Sequence, residues 1–225
     1  SIDLEEMRPL VERYLGGLPT AGRVETWRDM GIRPPDGVVE KTVRRGLEPQ
    51  SQTAIVFTGP FEWSPETRLG MRALAGVLEI RLREVLREDL GGTYGVGVQG
   101  SYFRIPEASY DFRIGFGSDP ARTDELVRTL FSEIQRLKDE GPTEDEVQKV
   151  VEAERRSRET DLRENGWWMA QLAAATESGE DPAYLLDTSL FDGVTVESIW
   201  EDARRYLNTE RFVRVSLFPE SGGVS

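Results

Sequence analysis

At 225 residues, with 38 % hydrophobic and 31 % charged positions, the chain has room for one good-sized core or at most two small ones. A net charge of −13 argues against partners such as nucleic acid or an anionic membrane surface, both of which need clustered Lys and Arg. There is no Cys and no His, which excludes disulfides, thiolate nucleophiles, Ser–His triads and the commonest zinc ligands and general base. No apolar run approaches membrane-spanning length, and a signal peptide, if one existed, was removed or belonged to a longer precursor.

In chain order, Asp3 to Leu15 predicts a helix capped by Asp3, with Glu6 at capping-box spacing and Leu4, Met7, Leu10, Val11 and Leu15 at helical intervals. Gly16 and Gly17 end it, so 1–17 reads as a lead-in helix and 18–37, rich in Pro and Gly and without periodicity, as a connecting segment. Alternation over Val38 to Val43 and the β-branched run Thr53 to Phe57 predict two strands, the second central. Ser64-Pro65 starts a helix that is expected to reach about Leu90, its stripe running from Leu74 to Leu86.

Two antiparallel strands joined near Pro106 follow; in the second, Tyr110, Phe112, Ile114 and Phe116 share one face and Asp111 and Arg113 the other. Leu126 to Leu137 form an amphipathic stripe ended by Gly141-Pro142, and Thr143 with Glu146 opens a long charged helix. The Glu152 to Glu164 part of it reads as a solvated face, and Trp167 and Trp168, beside an expected kink at Asn165-Gly166, read as core. Helices near Pro182 to Leu190 and Thr195 to Tyr206, then a strand at Phe212 to Phe218, close the chain. Paired strands separated by helices predict an α+β fold, a mostly antiparallel sheet of about five or six strands packed against helices, with 1–225 a single domain.

The stretch GVGVQG, Gly95 to Gly100, matches a dinucleotide fingerprint but in the wrong setting. It follows a helix and opens a strand, so a phosphate there would face the negative end of the helix. Gly91 or Gly92 serves instead as the left-handed helix stop, and Gly95 and Gly97 share a strand face that permits close packing, a bulge or the approach of another backbone. Arg87 and Tyr94 flank this corner and are good donors to a peptide carbonyl; alternatively, Arg87 belongs to a surface ladder with Glu84 and Arg83.

The run LREVLREDLGGTYGVGV resembles the C-terminal signature of the insulinase/pitrilysin family of zinc metallopeptidases, in particular its bacterial zinc proteases. DLEEMRPLVERYLGGLP, GPTEDEVQKVVEAERR and RENGWWMAQL are similar to further family segments, so the resemblance covers about Asp3 to Pro219. It implies that Arg87 and Tyr94, seven residues apart, contact substrate, and that zinc sits on an inverted H-x-x-E-H motif in another half of the protein, which this His-free chain cannot carry. The chain is therefore expected to be the substrate-binding C-terminal unit of a larger metalloendopeptidase of unfolded peptides, with no catalytic residue, metal or cofactor of its own. Its expected partners are peptide substrate and a zinc-bearing half on the same polypeptide or on a partner subunit. A fragment of a non-catalytic subunit and a plain interaction domain are the alternatives. The implied compartment is the bacterial periplasm or cell envelope, with cytoplasm the other option.

Overall fold

In the computed structural model the described residues are 2–19, 22, 26–89 and 93–220, and the side chains of 87–89, 93 and 94 lie outside the description. The chain divides into two compact units, Ser1–Gly31 and Ile32–Ser225. In the first, α1 (Leu4–Tyr14) starts where Asp3 accepts hydrogen bonds from the Glu5 and Glu6 amides at 2.9 and 3.3 Å. No residue of α1 is buried, and Leu4, Met7, Leu10 and Val11 are exposed.

The second unit is built on a five-stranded sheet in the order β1-β5-β2-β4-β3, with β1 (Val38–Arg44), β2 (Ser51–Pro60), β3 (Thr93–Phe103), β4 (Ser109–Ser118) and β5 (Phe212–Phe218). The expected α+β, mostly antiparallel architecture is present, with one parallel pair, β1 with β5. The β-branched run in β2 is indeed central. Its Ile55 and Phe57 are fully buried, as are Phe112 and Ile114 of β4, so the alternation read from the sequence sends these side chains to one face.

That face is covered by α2 (Pro65–Leu82), α3 (Thr123–Glu140) and α6 (Val196–Tyr206). The helix starts are chemically specified. Ser64 and Thr67 exchange amide bonds at 3.1 Å, and Thr143 with Glu146 and Thr195 with Ser198 form the same reciprocal box at α4 (Glu144–Asp161) and α6. Arg81 of α2 ties the core to the α3–α4 corner: Nε donates to Glu146 at 2.7 Å and Nη2 to the Gly141 carbonyl at 2.9 Å. Gly141 has φ +76°, and a Cβ there would lie 3.2 Å from the Trp200 ring, so both the turn and the packing call for glycine. Tyr110 donates to the Tyr206 carbonyl at 2.9 Å, and its phenol is pushed up to about 12, first by burial and then by Tyr206.

Three local expectations are corrected. The α2 helix does not run on to Leu90 in α form: from Arg83 to Asp89 it widens into a π-helical stretch. The kink at Asn165-Gly166 is a full break. α4 ends at Asp161, and α5 (Asn165–Ser178) starts afresh, with Trp168 Nε1 donating to the Leu162 carbonyl at 2.9 Å. Trp167 and Trp168 are accordingly half-buried beside this break and not in the core. Pro182 to Leu190 forms two short 3-10 turns, Pro182–Leu186 and Ser189–Gly193, because the Asp187 side chain takes the Ser189 amide at 2.9 Å and starts a new turn.

Candidate functional site

What the sheet's other face presents follows from register. Gly95 pairs with Gly117 and Gly97 with Gly115; across β4, Gly117 pairs with Gln52 and Gly115 with Ala54; beyond β2, Leu217 and Val215 continue the rows. Two cross-strand rows therefore hold four glycines, Ala54 and Gln52 between apolar β5 and a polar rim of Gln99 and Arg113, with the Gln52 side chain lying against Gly117. The result is a shallow groove of about 720 Å³ lined by Ala54, Gly95, Gly115, Gly117, Val215 and Leu217 among others.

Three of these glycines are not required by packing among the described residues; the fourth, Gly117, is buried, and a Cβ there would lie 2.7 Å from the Gln52 Nε2. None of the four has a left-handed φ. Among the described residues, a Cβ at Gly95 or Gly97 would meet nothing within 4 Å, and one at Gly115 only the Thr53 carbonyl at 3.9 Å. Glycine weakens a strand interior, so Gly95, Gly97 and Gly115 leave a strip of the sheet low in side chains at some cost in strand stability. The third motif glycine differs. Gly100 points to the covered side, where a Cβ would run into Met71, Sδ at 3.0 Å and Cγ closer still.

Arg87 lies in the π-helical stretch and Tyr94 at the start of β3, and their side chains are outside the described residues, as are Gly91 and Gly92, the expected helix stop. The backbone at both positions is irregular. Thr93 pairs with Ser118 and Gly95 with Gly117, so Tyr94 is the extra residue of a β-bulge. A π turn on one side and a bulge on the other are the irregularities that re-aim side chains at functional sites. As for the surface ladder considered for Arg87, Arg83 pairs with Glu79 one turn back.

Sequence reasoning found Gly95 and Gly97 but stopped short on β4. The alternation that put Asp111 and Arg113 on the outer face continues to Gly115 and Gly117, and that signal was available in YDFRIGFGS. On the same outer face, burial raises the Asp111 carboxyl above its ordinary range. The donor set does not suit zinc: the chain has no His or Cys, and among the described residues no group of three or more Asp or Glu could hold a metal.

Residues 1–154 match a family model described as the peptidase M16 inactive domain. A zinc protease PQQL-like protein of Arabidopsis thaliana is 23 % identical over 185 residues, 76 % of this chain and 19 % of that protein. Among solved structures, the periplasmic protease PqqL from Escherichia coli superposes with a TM-score of 0.83 at 20 % identity, over 98 % of this chain and 24 % of that one. A peptidase M16 inactive domain from Pseudomonas fluorescens gives 0.71 at 18 %, over 98 % of this chain and 52 % of that one. This chain thus spans about a fifth of the length of that curated relative, and the structural likenesses bear on the fold.

Proposed function

The chain belongs to the peptidase M16 inactive-domain family, and on that premise we propose that it is the substrate-holding, metal-free C-terminal unit of a larger zinc endopeptidase. The observation that carries this reading is the side-chain-poor strip of Gly95, Gly97 and Gly115 on the sheet's other face, bordered by the bulge at Tyr94. An extended peptide can lie close only where side chains are absent, and a guanidinium at 87 with a phenol at 94 would supply donors to its carbonyls, including one that becomes an oxyanion during hydrolysis.

Zinc and the water it activates would come from a separate half, on the same polypeptide or on a partner subunit, which leaves this chain to bind and orient. The exposed apolar stripe of α1 supports a lead-in role for 1–17, with 18–37 as connector and the remainder as the holding unit. By analogy with the E. coli relative, described as periplasmic, we place the parent protein in that compartment.

The test is complementation. This chain is mixed with the zinc-bearing half, and cleavage of an unstructured peptide is followed for wild type, Arg87→Ala and Tyr94→Phe. Each variant is expected to lose about 10²-fold in kcat/KM, while the chain alone cleaves nothing. Rates equal to wild type in both variants, with folding intact by circular dichroism, overturn the reading.

A further inference from the structure

Away from the glycine floor, two adjoining cavities of about 50 and 260 Å³ lie among α2, α4 and α5 and share four lining residues, Arg72, Tyr102, Arg158 and Gln171. Around the smaller one, Arg68, Arg72 and Arg158 meet a single lining carboxylate, Asp187, and its Oδ1 already accepts from the Ser189 amide and hydroxyl.

The arginines are held in place, and Arg68 keeps a donor in reserve among the described residues. Arg68, 6 % exposed, donates from Nη1 to both Glu180 oxygens at 3.0 and 2.9 Å and lies over the Trp63 and Tyr184 rings. Its Nη2 is buried and finds no acceptor among the described residues. Arg72 donates Nε to Glu154 at 3.0 Å and Nη1 to the Arg68 carbonyl and the Tyr102 hydroxyl, each at 3.4 Å, and Arg158 donates Nη1 to the Leu185 carbonyl at 2.7 Å with its guanidinium over Trp167. Burial, then the charge of Arg72, lower the Arg158 pKa even with Glu154 and Asp161 nearby, so the Arg158 guanidinium is incompletely compensated, whereas Arg72, despite burial, is raised by Glu154 and Tyr102.

We propose that this cleft binds an α-carboxylate, that of a free amino acid or of a peptide C-terminus. The carboxylate sits between Arg72 and Arg158 in front of Arg68, and the adjoining nitrogen faces Glu154 and Asp161 in the larger cavity beside Trp167. Planar guanidinium forks match a carboxylate. The two acidic residues favour a ligand that carries an N–H next to its carboxylate, and they disfavour phosphate, whose greater charge they repel. The proposal stands on helix-side residues and does not depend on the glycine floor or on Arg87 and Tyr94.

The purified chain is titrated by calorimetry with trialanine, trialanine amide, alanine and inorganic phosphate. Saturable binding of trialanine, weakened at least about tenfold by the amide cap and by Arg158→Gln or Arg72→Gln, is expected. Tighter binding of trialanine than of alanine identifies a peptide end, and equal binding identifies the amino-acid backbone alone; both support the site. No saturation by about 20 mM trialanine, equal affinity for the amide, or phosphate binding as tightly as trialanine overturns it. Circular dichroism and melting establish that the variants fold, and the comparison of acid with amide on the wild-type chain needs no variant.

Discussion

The two faces of β3 set the same residue type to opposite tasks. On the covered face, Gly100 makes room for Met71, so α2 can lie close on the sheet. On the open face, a Cβ at Gly95 or Gly97 would meet none of the described residues within 4 Å. The first glycine is explained by packing within the chain, and for the second pair a methyl group would meet none of the described residues. Glycines that look alike in one motif are thus separated by asking what a methyl group would strike.

The largest effect expected from this contrast is on the covered side and depends on pH. Asp202 of α6 faces Gly70 of α2 with Oδ2 2.5 Å from where a Cβ would stand, and burial, foremost, pushes its carboxyl from 3.8 up to about 6. A carboxyl raised in the folded state favours the unfolded chain once it ionises. Wild-type stability should therefore fall as pH rises from about 4 to about 7, and Asp202→Asn should remove the slope and gain about 2 to 3 kcal/mol at pH 7.5. Urea unfolding at both pH values measures it, and a parallel shift of wild type and variant would count against the burial argument.

Next in size is Gly100→Ala, expected to cost about 1 to 3 kcal/mol because Met71 is fully buried and must move. Smallest is Gly97→Ala, which should stabilise the isolated chain by about 0.5 to 1 kcal/mol, since alanine is the better strand residue and the space is open. If the open face receives a peptide or a partner, this same stabilising change lowers activity in the complemented enzyme. A variant that is more stable and equally active would show the floor to be idle.

Much of the framework was legible from local chemistry. The β4 alternation, the α3 stripe and the caps at Asp3, Ser64 and Thr143 are each decided by residues a few positions apart, and each appears as read. The resemblance to insulinase/pitrilysin metallopeptidases is likewise matched by the M16 family model and the named relatives. What escaped depends on distant partners or on backbone detail. The parallel β1–β5 pair joins segments about 170 residues apart, beyond any local pattern. The π stretch through Arg87 and the bulge at Tyr94 are half-turn and one-residue adjustments that propensity does not encode. Arg72 and Arg158 are surface-like in sequence, the latter within a run that reads as a solvated face. Only the packing of α4 against α2 brings both to one cleft.

The position of β5 between β1 and β2 has a consequence for biosynthesis. β1 pairs with β5 and with no other described strand, so the earliest strand of this sheet to be translated waits for the latest before it has a hydrogen-bonding neighbour. Closure of the sheet is thereby postponed until translation has passed Phe218. A nascent chain halted before Phe212 would show two raw edges, one on β1 and one on β2, to the quality-control machinery of the cell.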